Sequence, residues 1–144
     1  MSEVIRRDVL QGFRALVVDD EPDAAKVCEL LLKRSGVEVL VAVNGLQGLE
    51  FAREQKPEFI LSDLSMPEMS GYQLVMELKK DPMLATIPIL AITAHVMSGN
   101  RERALAAGFD EYLTKPLRPR VFIHDLIIFL RRFPHLVERL PDID

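Results

Sequence analysis

Five residues of this chain have the types and positions to handle a phosphoryl group or a metal: Asp19, Asp20, Asp63, Thr93 and Lys115. The first two sit in "LVVDDEPD", residues 16 to 23, where three apolar side chains lead directly into two adjacent aspartates, a glutamate, a proline and a third aspartate. Adjacent carboxylates repel unless water solvates them fully or a cation sits between them. Three carboxylates converging on one place make a hard oxygen site suited to Mg²⁺, which uses one or two carboxylates and keeps several waters. A carboxylate can also act as a nucleophile toward phosphorus and form an aspartyl phosphate. Phosphoryl transfer asks mainly for positioning and neutralisation of charge, which a metal, one ammonium and one hydroxyl would supply.

Elements that can bring these residues together are legible in the pattern. Short apolar runs at 14 to 19, 37 to 42, 58 to 63, 87 to 93 and 109 to 114 alternate with stretches of helical spacing near 22 to 34, 45 to 55, 71 to 80, 98 to 107 and 118 to 132. The first, third and fourth runs are continuously apolar, as strands covered on both faces are. Helix punctuation agrees: Pro22 suits a first turn, Gly36 and Gly108 suit C-terminal caps, and Asp81-Pro82 suits a stop. Strand and helix in alternation imply a parallel sheet with helices on both faces. Such sheets bind ligands at the carboxyl ends of their strands. Asp19 and Asp20 end the first strand, Asp63 the third and Thr93 the fourth, and Lys115 follows the fifth, all on that edge.

With their surroundings "VVDDEP", "ILSDLSMPEMSGYQ", "ITA" and "YLTKP", these residues resemble the receiver domain of two-component response regulators, from about residue 13 to 132. The resemblance implies a flavodoxin-like, doubly wound (βα)5 sandwich whose five parallel strands run in the order 2-1-3-4-5. It implies that Asp63 is the phosphoacceptor, Asp20 a direct Mg²⁺ ligand and Asp19 the holder of metal-bound water, with the backbone carbonyl of Ser65 as a further ligand. Lys115 would pair with the phosphoryl group and Thr93 would hydrogen-bond to it. The Lys115-Pro116 peptide would be cis, against the trans form usual for X-Pro. Tyr112 matches the aromatic that changes rotamer on activation; the residues alone fit a half-buried strand aromatic as well. Ser65 and His95 fall where receivers tune phosphoryl lifetime, although an exposed loop histidine reads equally well. One departure is Ser70, where an acidic residue often precedes the glycine.

Further expectations concern organisation and partners. Residues 1–13 read as an N-terminal extension, 14–132 as the receiver and 133–144 as a tail too short for an output domain, which points to a stand-alone regulator signalling through binding. It would take phosphate from a sensor histidine kinase or histidine phosphotransfer protein, and catalyse only its own phosphorylation and dephosphorylation. The apolar arc of the last helix is wide: Phe122, Leu126, Phe129 and Phe133 form one stripe, and Ile123, Ile127 and Leu130 another. Two readings stand for the excess. It is buried under the N-terminal Val4, Ile5, Val9 and Leu10, or Tyr112, Ile123, Ile127 and Leu130 help form a partner or homodimer surface of the kind receivers build from their fourth helix, fifth strand and fifth helix.

Composition excludes other classes. At 144 residues and 49% apolar, the chain can bury one domain core, and a net charge of −4 with scattered basic residues marks no nucleic-acid or membrane surface. The lone Cys28 excludes an internal disulfide and reads as a small core residue. The N-terminus lacks a signal peptide's apolar run and no stretch nears the roughly 18 apolar residues of a span, which together read as a cytoplasmic protein. An aspartate-nucleophile phosphatase of the haloacid dehalogenase type would space its two aspartates two residues apart on the first strand. A flavin or nucleotide binder would want glycines where "DDEPD" puts carboxylates. A receiver acting without phosphorylation would have lost the acceptor, the lysine or the acidic pair, and none is lost.

Overall fold

The computed structural model describes residues 8–94 and 100–141. Strands β1 (Arg14–Val18), β2 (Glu38–Ala42), β3 (Phe59–Ser62), β4 (Ile89–Thr93) and β5 (Glu111–Thr114) form one parallel sheet in the order β2-β1-β3-β4-β5. This is the parallel sheet that the alternation implied, in the flavodoxin-like order that the resemblance implied. β3 and β4 are buried along their whole length, while the edge strands β2 and β5 are half-buried, although β2 is as continuously apolar as the central strands.

Five helices connect and follow the strands: α1 (Pro22–Arg34), α2 (Gly45–Gln55), α3 (Gly71–Lys80), α4 (Asn100–Ala107) and α5 (Pro119–Leu130). Pro22 and Pro119 open α1 and α5 where a missing N–H costs nothing. Gly36 and Gly108 follow α1 and α4 at φ +92° and +124°, a backbone region that favours glycine. The start proposed for α4 at 98 lies outside the described residues.

Side-chain alternation along the strands divides the core into two layers. Ala15 and Val17 of β1 join Cys28 and Leu32 of α1 and Leu126 of α5, while Leu16 and Val18 join Leu49 of α2, Leu74 of α3 and Ala104 of α4. Thus α1 and α5 cover one face of the sheet, and α2, α3 and α4 the other. Among the described residues no helix is long and apolar enough to cross a membrane.

At the ends of the chain the structure chooses between the readings of the last helix. Ile123, Ile127 and Leu130 are 5%, 2% and 0% exposed, so they are core and not a partner surface. The reason is a second covering layer: Leu10 and Phe13 before β1, and Leu136 and Leu140 after α5, complete the same apolar cluster. Residues 133–141 accordingly pack against the core. Pro134–Val137 forms a short helix, α6, that buries Leu136, and Phe133 stacks edge-on against Phe129 with ring centroids 5.2 Å apart. Arg139 ties the two ends together: its guanidinium lies 4.3 Å from the Phe13 ring centre and donates to the Gly12 carbonyl at 2.9 Å. Val9 packs against this cluster too, whereas Val4 and Ile5 lie outside the described residues.

Candidate functional site

Asp19, Asp63 and Lys115 are each fixed by a backbone hydrogen bond at or just past a strand end. The Asp19 N–H donates to Ala42 at 3.0 Å, the Asp63 N–H to Val18 at 2.9 Å, and the Lys115 N–H to Thr93 at 2.8 Å. The parallel ladders thereby continue one step beyond the apolar runs. Polar side chains emerge together where the strands stop, above the switch point between β1 and β3.

The side chains converge as well. Lys115 Nζ donates to Asp19 Oδ2 at 2.8 Å and to Asp63 Oδ2 at 3.2 Å, joining residues from opposite ends of the sequence. Asp63 Oδ1 accepts from the N–H groups of Leu64 at 2.7 Å and Ser65 at 3.3 Å, and Asp19 Oδ1 accepts from the Glu21 N–H at 2.9 Å. Carboxylate oxygens of Asp19, Asp20 and Asp63 lie within 4.8 Å of one another, with Asp19 buried, Asp63 partly buried and Asp20 open to solvent. Three carboxylates against one ammonium leave two negative charges uncompensated, which suits a divalent, oxygen-seeking cation. The donor set therefore fits Mg²⁺.

Burial pulls the Lys115 ammonium toward deprotonation, but the hydrogen bond to Asp19 and the charges of Asp63 and Asp19 outweigh it, so its pKa stands above the ordinary lysine value of 10.5. Thr93 is 1% exposed at the end of β4, its carbonyl holding Lys115 in place. The Lys115-Pro116 peptide is cis, as the resemblance implied. Tyr112 is half-buried in β5 beside Ala91 of β4, packed on the layer formed by α2, α3 and α4. His95 lies outside the described residues.

Two residues that support the site escaped the sequence reading. Ser62, fully buried, donates its hydroxyl to the Asp63 carbonyl at 2.8 Å. Gly71 crowds that same carbonyl: a Cβ there would stand 2.1 Å from the Asp63 oxygen and 2.9 Å from the Leu64 Cα. The only signal for Gly71 was its place in "MSGYQ", and a close approach across a turn cannot be read from one chain. Ser70, the departure noted above, is the N-cap of α3 in a reciprocal capping box with Gln73.

Comparison with known proteins agrees with this geometry. Residues 15–127 match the response regulator receiver domain. The chain belongs to that family. It is 36% identical over 115 residues to the polar-differentiation response regulator DivK of Brucella anthropi, covering 80% of this chain and 94% of that one. Among solved structures, a putative response regulator from Chloroflexus aurantiacus superposes with a TM-score of 0.79 at 30% identity, covering 83% of this receiver and 98% of that chain. The receiver domain of a Pseudomonas aeruginosa sensor histidine kinase, solved with a magnesium ion coordinated in its active site cleft, superposes at 0.74 with 32% identity, covering 85% of this chain and 97% of that one.

Proposed function

We propose that this receiver accepts a phosphoryl group on Asp63 in a Mg²⁺-dependent reaction and signals through binding changed by the modification. The observation that carries this reading is the seating of Asp63, with one carboxylate oxygen held by two backbone N–H groups and the other facing Lys115, within 4.8 Å of Asp19 and Asp20 carboxylate oxygens. Asp20, Asp63 and the Ser65 backbone carbonyl would hold Mg²⁺ directly, with Asp19 holding metal-bound water. When bound, the ion neutralises charge on the transferring phosphoryl oxygens.

The donor is a phosphohistidine on a sensor kinase or histidine phosphotransfer protein. An Asp63 oxygen attacks phosphorus, the P–N bond breaks, and the imidazole leaves with a proton from solvent. Lys115 moves from pairing two carboxylates to pairing the new phosphoryl oxygens, and Thr93 donates its hydroxyl to them. The modification replaces one negative charge by about two more strongly accepting ones. Thr93, Lys115 and the half-buried Tyr112 are the groups placed to respond, biasing the packing around β4 and β5. Ser65 and His95 then tune hydrolysis of the acyl phosphate. The protein catalyses only its own phosphorylation and dephosphorylation and turns over no external substrate.

Treatment with a small acyl or amidophosphate donor, followed by intact mass measurement, tests the reading. Wild type gains a single phosphoryl mass with Mg²⁺ and none after chelation, and Asp63→Ala gains none in either case. An adduct that persists in Asp63→Ala sinks the assignment.

A further inference from the structure

Two residues that the phosphoacceptor site leaves unused, Asp23 and Cys28, line one cavity together with Asp19, Asp63 and Lys115 of that site. The cavity has a volume of about 220 Å³ and opens between α1 and the turn after β5. Its walls are apolar: Leu61 and Ile92 from the sheet, Ala24, Val27 and Cys28 from α1, and Leu117. Its polar lining is acidic: Asp19, Asp23 and Asp63 against the single ammonium of Lys115. Asp19 and Asp63 are bonded to that ammonium, whereas Asp23, exposed on the first turn of α1, has no ion pair among the described residues.

An apolar cavity of about 150 Å³ already accommodates benzene, so this one has room for a fused bicyclic ring. Apolar walls reject a ligand that is charged throughout, and without a metal ion the excess of carboxylates in the lining rejects an anionic head. We propose that the cavity binds a small aromatic amine, with its ring against Leu61, Ile92 and Leu117 and its ammonium at Asp23. The apolar walls supply the affinity and Asp23 sets the sign of charge accepted.

The chain contains no tryptophan, so indole emission reports the ligand alone. Tryptamine, 3-methylindole and indole-3-propionate are titrated in metal-free buffer. Tryptamine gives a saturable, equimolar blue shift, binding more tightly than 3-methylindole and far more tightly than indole-3-propionate. Asp23→Asn weakens tryptamine about twofold to fivefold, the range expected of a partly exposed ion pair, and leaves 3-methylindole unchanged. Ala24→Leu, at the half-buried rim, and Val27→Phe, at the exposed rim, each narrow the mouth and abolish binding of all three; circular dichroism shows which variant is folded. Absence of a saturable shift in wild type overturns the proposal, as does undiminished binding in a folded rim variant or an anionic probe that binds as tightly as the amine. Because the readout is binding, it stands or falls separately from phosphorylation of Asp63.

Discussion

Burial has opposite outcomes at the partly buried Lys115 and the buried Cys28. Lys115 is desolvated yet held protonated, because two carboxylates sit within 3.2 Å of its nitrogen. Cys28 has no such partner. Burial, with the Asp19 charge adding to it and Lys115 opposing, pushes its thiol from an ordinary 9.0 up to about 12. A raised pKa means that the folded chain keeps a proton the unfolded chain releases, so this contribution to stability is complete below pH 9.0 and is lost as pH climbs toward about 12. Urea midpoints measured across that window fall more steeply for wild type than for Cys28→Ala; equal slopes would refute the role of the thiol. The sequence showed Cys28 on an apolar helix stripe, which sufficed to place it in the core. Only the folded distances show what desolvates it and which charges it meets.

Helix α3 concentrates two different local demands at adjacent positions. Ser70 accepts from the Gln73 N–H at 3.2 Å while Gln73 returns a bond to the Ser70 N–H at 2.9 Å. Ser70→Ala removes a cap and costs about 1 kcal/mol in chemical denaturation, with Asp63 phosphorylation unchanged. Gly71→Ala acts by another route. The added methyl meets the Asp63 carbonyl at 2.1 Å, so the turn after β3 must shift and carry Asp63 away from Lys115. We expect a loss of about 1–3 kcal/mol together with a fall in phosphorylation rate of at least about tenfold, since displacement of the acceptor by 1 Å degrades alignment. A Gly71→Ala variant phosphorylated at the wild-type rate would show that the turn relaxes without moving the acceptor. Element boundaries were readable here because punctuation is local: Pro22, Gly36, Ser70 and Gly108 act on their own turns. The contact of Gly71 with Asp63 was not, because it joins a helix start to a strand end.

For the molecule as a whole, the chain ends complete the layer on α5. Leu136 is 2% exposed in that layer, and Leu136→Ala is expected to cost about 2–4 kcal/mol, read as a lowered urea midpoint. The phosphorylation yield of the folded fraction stays at the wild-type level, because α6 packs far from the carboxyl ends of the strands. A wild-type midpoint would mean that residues 134–137 add nothing to the fold. The apolar residues that α5 does expose are Val121 and Ile128, at 50% and 47%. A search for partner contacts on this helix therefore starts there and not at Ile123, Ile127 or Leu130.

By itself the sequence determined the order and kind of the elements, the parallel sheet, and which polar residues stand at strand ends. These follow from periodicity and local turn chemistry, which act over a few residues. The family resemblance added a role for each of those polar residues. Tertiary structure alone decided what covers the wide arc of α5, because amphipathic patterning says that a face is buried but not by what. It also decided how close Gly71 comes to Asp63, and it set Asp23 and Cys28 of α1 against Leu61, Ile92 and Leu117 around one cavity. These are contacts between segments distant in the chain, and their geometry is set by packing of the whole core.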